Sequence, residues 1–131
     1  MSKVFLGGTT NESTWRDIVI SQLKMEYYNP VVPDWTLACQ EEEIRQRGIC
    51  DFILYVLTPK MAGFYVIAEA VDDSNKQPDK TIFCYLIQDG NARFNDWQIY
   101  SLNAVSKMIK TNGATICNSL EGCIDTLNRK A

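Results

Sequence analysis

Cys50-Asp51-Phe52-Ile53-Leu54-Tyr55-Val56-Leu57-Thr58-Pro59 decides how the chain is read. Phe52 to Leu57 is an unbroken apolar run, and a run of that length fits a strand buried on both faces, as the centre of a parallel sheet requires. Thr58-Pro59 stops it, because proline has no N–H to give a ladder. Gly63 then lends the loop conformational freedom, and Ala62 to Asn75 reads as a helix. Ala62, Val66, Ile67, Ala70 and Val71 trace its apolar face at helical spacing. Glu69 sits at the margin of that face, one turn from Tyr65 and from Asp72 and Asp73. An open parallel sheet binds ligands beyond the carboxyl ends of its strands, where this loop and the early helix point. From spacing alone, Glu69 is either a solvated helix carboxylate or a nucleophile or acid–base group.

Working toward the amino end, Gly48 closes a helix that starts near Leu37. Glu41-Glu42-Glu43 lie in its first turns, where the helix dipole favours acids, and read first as a solvated face and second as ligands. Before it, Pro33-Asp34-Trp35-Thr36 is a loop. Trp35 there either stacks on a nucleobase or covers the core, and Asp34 either meets a ligand or caps the helix. Tyr27 to Val32 is the second strand, and Pro30 suggests an edge position or an early end. Lys3 to Leu6 is the first strand. It runs into Gly7-Gly8-Thr9-Thr10-Asn11 and a helix over Ser13 to Met25, with Trp15, Ile18, Val19, Gln22 and Leu23 on one face and Asn11 or Ser13 as its cap. A glycine loop at a helix start offers backbone N–H groups to an anion or a sugar hydroxyl; a plain tight turn is the competing reading.

Working toward the carboxyl end, Thr81 to Ile87 is a further buried strand and Gln88 to Asn91 a loop. A helix follows from about Trp97 to Thr111, capped by Asn95 or Asp96, with Trp97, Tyr100, Ala104 and Met108 toward the core. Ala114 to Cys117 is a short last strand. Ser119 caps a final helix with a Leu120, Cys123, Ile124, Leu127 stripe. Strand and helix alternate throughout. The pattern predicts one α/β domain over residues 1–131, a three-layer α/β/α with a five-stranded parallel sheet of flavodoxin-like, Rossmann-like order 2-1-3-4-5. The switch point falls between strands one and three, so the glycine loop and Glu69 share one crevice.

Composition narrows the function. A net charge of −3 with no Lys/Arg cluster argues against a nucleic-acid polymer as partner. No apolar run reaches membrane-spanning length. The opening Met1-Ser2-Lys3-Val4-Phe5-Leu6 reads as a strand and not as a signal peptide. Five cysteines without a CxxC pair suggest reduced thiols and a cytoplasmic setting. The absence of histidine excludes His-based triads, argues against a zinc site, and leaves acid–base chemistry to carboxylates, Tyr, Lys or Cys. No cofactor is expected.

Val4-Phe5-Leu6-Gly7-Gly8-Thr9, Ser13-Thr14-Trp15-Arg16, Asn29-Pro30, Asp34-Trp35, Asp51, and Gly63 leading to Ala68-Glu69-Ala70 together resemble the nucleoside 2-deoxyribosyltransferase-like family, over about residues 3 to 90. The resemblance implies cleavage of an N-glycosidic bond in a small nucleoside or nucleotide. Glu69 takes the place of the family's nucleophile, Asp51 matches an aspartate near the site, Gly7 to Thr9 border the sugar, and Asp34 and Trp35 lie near the base. It also implies a homo-oligomer. The chemistry stands on its own terms: a glutamate is ionised at neutral pH without a histidine, and a second carboxyl, Asp34 or Asp51, can protonate the leaving base. Gly63 borders the ligand, and Tyr65 either orients Glu69 or packs. No acid lies between Asp51 and Glu69, which keeps open a module that binds a nucleotide without cleaving it. A TIR-like NAD hydrolase is a third reading.

Overall fold

The computed structural model describes residues 1–10 and 12–131. In chain order its elements are β1 (Lys3–Gly8), α1 (Trp15–Gln22), β2 (Glu26–Tyr28), α2 (Leu37–Ile49), β3 (Phe52–Leu57), α3 (Tyr65–Lys76), β4 (Thr81–Tyr85), β5 (Gln88–Asp89), β6 (Ala92–Arg93), α4 (Asp96–Thr111), β7 (Thr115–Ile116) and α5 (Leu120–Arg129). β1, β2, β3, β4 and β7 form one parallel sheet in the order β2-β1-β3-β4-β7. This is the expected 2-1-3-4-5 arrangement, with β7 as its fifth strand, because β5 and β6 pair only with each other as a small antiparallel hairpin.

Both faces of β3 are buried, which is why its sequence is apolar without alternation. Leu54 and Val56 join Val4, Leu6, Ile82 and Cys84 beneath α1 and α5, where Trp15, Val19, Ile124 and Leu127 close the core. Ile53, Tyr55 and Leu57 join Phe5 and Phe83 on the other face, covered by Ala70 of α3 and by Leu102 and Ile109 of α4. Among the described residues, no helix is long and apolar enough to cross a membrane.

Several local expectations need correction. β2 stops at Tyr28, two residues before Pro30, and Val31 and Val32 are exposed in the loop beyond it. α1 is shorter than expected, and Asn11, one of its two expected caps, lies outside the described residues. Thr14 occupies the cap position without a side-chain bond. Ser13, the other expected cap, donates its hydroxyl to Asp89 at 2.6 Å and so ties the β5–β6 hairpin to the start of α1. Thr36, and not Asp34, caps α2, its hydroxyl accepting from the Cys39 N–H. α3 starts at Tyr65, so Ala62 to Phe64 belong to the loop.

The largest correction concerns α4. Its buried side chains are Leu102 and Ile109, with Ile99 and Val105 packed beside them. Trp97, Tyr100 and Met108 are exposed. At 100° per residue the helix carries two apolar stripes on roughly opposite sides, and the branched aliphatic one meets the sheet. Asn95 and Gln98 form a full capping box at its start, and Ser119 caps α5 as expected.

Candidate functional site

β1 and β3 lie side by side at the switch point, with Gly7 opposite Tyr55 and Gly8 opposite Val56. The glycines are there for contact. A Cβ on Gly7 would stand 2.7 Å from the Tyr55 ring, and one on Gly8, where φ is +125°, would stand 2.0 Å from the Val56 carbonyl oxygen. Thr9 then turns inward. Its N–H donates to Val56 O and its hydroxyl accepts from the Thr58 N–H at 2.8 Å. α1 grips the loop from below. Trp15 Nε1 donates to the Thr9 carbonyl at 2.8 Å, and the Arg16 guanidinium donates to the carbonyls of Leu6, Gly8 and Thr9. Burial draws the Arg16 pKa down to about 10 against the raising effect of Glu43 and Asp17.

A cleft of ≈ 350 Å³ opens above this loop. Gly7, Gly8 and Arg16 form its floor, Trp35 with Val31 and Val32 one wall, and Glu69 with Val66 the other. Glu43 and Tyr55 also face it. Gly7, Gly8, Trp35 and Glu69, singled out on sequence grounds, therefore come together. Gly63 and Tyr65 line an adjoining hollow of ≈ 200 Å³ with Gly8, Thr9 and Thr10.

The remaining candidates fall elsewhere. Asp51 precedes β3 at its amino end, and its carboxylate accepts from the Lys3 N–H at 2.9 Å. That is the end of the sheet away from the cleft. Asp34 is exposed, and its neighbour Trp35 meets the cleft in its place. Tyr65 is exposed on the first turn of α3, and the bond that orients Glu69 comes from Arg47, whose Nη1 donates to Glu69 Oε2 at 3.1 Å.

Arg47 belongs to a network below the cleft. Its Nε and Nη2 hold the two oxygens of Asp73 at 3.0 and 3.1 Å, and the buried Tyr55 hydroxyl donates to Asp73 Oδ2 at 2.5 Å. Burial works against the Arg47 cation, yet Asp73, Tyr55 and Glu69 outweigh it and raise its pKa. Helical spacing makes the arrangement. Glu43 and Arg47 are four residues apart on α2, and Glu69 and Asp73 four apart on α3. Both helices run from the carboxyl edge of the sheet toward its amino edge, side by side, so Glu43 and Glu69 form an upper tier and Arg47 and Asp73 a lower one. Glu69 has its pKa raised by burial, lowered by Arg47, and raised again by Glu43 and Asp73. Glu43 is raised by burial, with Trp35 and the charges of Arg47 and Arg16 acting in the other direction.

Glu43 is the residue that sequence reasoning undervalued. Its neighbour Glu42 points outward to Arg45, and hydrogen bonds from Arg45 and Gln46 pull its pKa down to about 2. Only the i, i+4 match between Glu43–Arg47 and Glu69–Asp73 separates one glutamate of the run from the next. The site positions of Arg16, Arg47 and Tyr55 were missed as well: Arg16 stands in the sequence only as part of the Trp15-Arg16 match, and neither an arginine paired with carboxylates of another helix nor a tyrosine inside an apolar strand leaves a motif. Among the described residues, no group of three or more His, Cys, Asp or Glu is arranged to hold a metal ion.

No curated protein matches the chain. The family model described as nucleoside 2-deoxyribosyltransferase like matches residues 1–84 of 131, the stretch that runs from β1 into β4 and carries the glycine loop, Trp35, Glu43, Arg47 and Glu69. With more than half of its length matched and the matched part forming the cleft, the chain belongs to the nucleoside 2-deoxyribosyltransferase-like family.

Proposed function

We propose that the chain, as one domain over residues 1–131, cleaves the N-glycosidic bond of a deoxynucleoside through Glu69 and passes the sugar to water or to a second base. The observation that carries this reading is Glu69 itself, a half-buried carboxylate on the second turn of α3, facing the glycine loop across a cleft at the switch point. An oxocarbenium-like transition state is stabilised by such a carboxylate, and attack at the anomeric carbon yields a glycosyl-enzyme. Family membership supports nucleoside chemistry of this class. The exposed indole of Trp35 supplies a stacking face for the base, and the glycine loop lets the sugar approach the backbone. The charged groups lining the cleft are Arg16, Glu43 and Glu69, and Arg16 already serves three carbonyls. That balance favours an uncharged nucleoside over a phosphorylated one.

The reading extends to a cytoplasmic setting, supported by five free thiols, and to a homo-oligomer, supported by the exposed aromatic residues of α4. The test is chromatography of free base after mixing the protein with deoxynucleosides, deoxynucleotides and NAD. Wild type should release base from a deoxynucleoside, and Glu69→Ala should bind the same ligand and release none. Equal turnover by the variant would overturn the role of Glu69. One observation favours a second reading, a module that binds without cleaving: Arg47 already occupies the Glu69 carboxylate. Binding with no release from any member of the panel is its signature, and nicotinamide release would instead mark a NAD hydrolase.

A further inference from the structure

We propose that Cys117 and Cys123 are a peroxide-reactive thiol pair: Cys117 is the thiol that hydrogen peroxide oxidises, and Cys123 closes a disulfide onto it. The pair lies apart from the Glu69 cleft and does not depend on the chemistry proposed there.

The five cysteines are spread over the sequence, and folding brings three of them together. Cys84 on β4, Cys117 just after β7 and Cys123 on α5 meet in one core cluster as free thiols. The start of α5 arranges the last two. Ser119 caps the helix, its hydroxyl accepting from the Gly122 N–H at 3.0 Å. A chain entering a capped helix packs back against the residue one turn in. Here Cys117 folds onto the side of α5 that carries Gly122, Cys123 and Thr126. A Cβ on Gly122 would stand 3.8 Å from Cys117 Cβ, and Cys117 Sγ lies 3.6 Å from Thr126 Oγ1. Cys123 falls between these two contacts along the helix. It acts on Cys117, while Cys84 acts on Cys123.

The two thiols are not equivalent. A hollow of ≈ 570 Å³ opens at the carboxyl ends of β4 and β7, and Cys117 lines it with Ile87, Asn103, Ser106 and Asn118. Cys117 is 8 % exposed and Cys123 0 %, so a water-sized oxidant reaches the first and not the second. Cys39 is more open, but its sulfur meets Thr36 and Asp34 instead of a second thiol. Charge favours the same assignment. Cys123, Thr126 and the Arg129 cation draw Cys117 below the ordinary thiol pKa against its burial. Cys117, Cys84 and burial push Cys123 above it. The thiolate is the form that attacks, and a proton-holding thiol beside it is placed to resolve the product. Thr126 Oγ1 stands 2.7 Å from Gly122 O, and its proton can turn to the Cys117 sulfur as charge gathers there.

The Cys117 sulfur bonds to one peroxide oxygen as the oxygen–oxygen bond breaks, and the departing oxygen takes the thiol proton and leaves as water. Cys117 is then a sulfenic acid. The Cys123 sulfur bonds to the Cys117 sulfur, the sulfur–oxygen bond breaks, and the Cys123 proton leaves with the hydroxide as a second water. Two thiols have lost two electrons, and one peroxide has become two waters. A dithiol reductant restores both thiols.

The experiment exposes the reduced protein to stepped concentrations of hydrogen peroxide, tags the remaining thiols with iodoacetamide in denaturant, and maps the tags by mass spectrometry. Cys117 and Cys123 should lose their tags together while Cys50 and Cys84 keep theirs, and dithiothreitol should restore both. Cleavage at glutamate separates the two cysteines at Glu121, so those fragments should stay joined until reductant is added. In Cys123→Ala, Cys117 should stop at the sulfenic acid and take a dimedone label. In Cys117→Ala, Cys123 should keep its tag at peroxide that removes it in the wild type. Melting curves check both variants, and the wild-type map stands as the test where a variant fails to fold. Cys117 and Cys123 still tagged at the highest peroxide, whatever happens at Cys39, would overturn the assignment. So would a disulfide joining Cys84 to Cys123, or Cys117 passing to the sulfinic acid while Cys123 keeps its tag. Base release from a deoxynucleoside, measured beside the map, reports on the cleft separately.

Discussion

Burial raises the pKa of Glu69, Arg47 pulls it down, and Glu43 and Asp73 push it up again, with a net rise. A carboxyl whose folded pKa lies above its unfolded value contributes stability only below the unfolded pKa, near 4.3 for glutamate, and loses it as the pH rises through the folded value. The ionised Glu69 is therefore a destabilising group at neutral pH. Removing its charge does not orphan Arg47, because two of the guanidinium nitrogens remain on Asp73. Glu69→Gln should thus melt above the wild type at pH 7.5, and the gap should close as the pH is brought to 4. Thermal unfolding monitored by circular dichroism at the two pH values decides it; a variant that melts lower at pH 7.5 would mean that the Arg47 contact outweighs burial. A gain in stability together with a loss of base release is the relation expected where a site holds a group that the fold would not otherwise choose. Sequence marked Glu69 because a carboxylate early in the helix after a central strand is placed at the carboxyl edge by topology alone. It did not mark Glu43, because which glutamate of a run of three turns inward depends on the relative placement of two helices.

Glycines divide by what surrounds them. Gly8 sits at φ +125°, and a Cβ there would meet the backbone oxygen of Val56, which belongs to the next strand and has nowhere to go. Gly8→Ala should therefore destabilise by more than about 2 kcal/mol and show it as a lower urea midpoint. Gly63 has open space around its Cβ position and no positive φ, so the conformational freedom expected of it is not what the loop needs. Gly63→Ala should change stability by no more than about 1 kcal/mol, toward stabilisation. If it nevertheless raises the KM for the nucleoside, the hollow beside Tyr65 is part of the binding surface; an unchanged KM removes Gly63 from the site. The same distinction explains what could be read of the elements. β3 and β4 announce themselves because full burial leaves only apolar residues. β2 announces its existence but not its bounds, because where an edge strand of three residues in front of a proline begins and ends is set by pairing with β1 and not by its own composition. The two stripes of α4 are equally apolar, and only the packing of Ile99, Leu102 and Ile109 onto the sheet chooses between them.

Strand order and switch point follow from alternation and handedness, so the chain's overall winding was readable from the sequence; the surface left over was not. Trp97 is 81 % exposed, Tyr100 74 % and Phe64 74 %. Phe64 and Trp97 line a hollow of ≈ 400 Å³ between the start of α3 and α4, together with Pro59, Met61 and Phe94. Scattered apolar side chains are ordinary on a protein surface, but aromatic residues gathered at one apolar hollow mark a contact surface. A second copy of the chain is the occupant that the family resemblance implies, and burying three such rings would supply several kcal/mol toward association, of the order of 1.5–3 kcal/mol for each ring fully covered. Light scattering across a concentration series should accordingly give a mass of at least twice 14.9 kDa. Replacing Phe64 and Trp97 together by serine should return a folded monomer, because neither side chain belongs to either core cluster. A wild-type protein that stays monomeric at every concentration would leave this surface without its partner. A dimer unchanged by the double substitution would place the contact on another face, and the exposed Leu37, Ile44 and Ile49 of α2 are the next apolar surface to test.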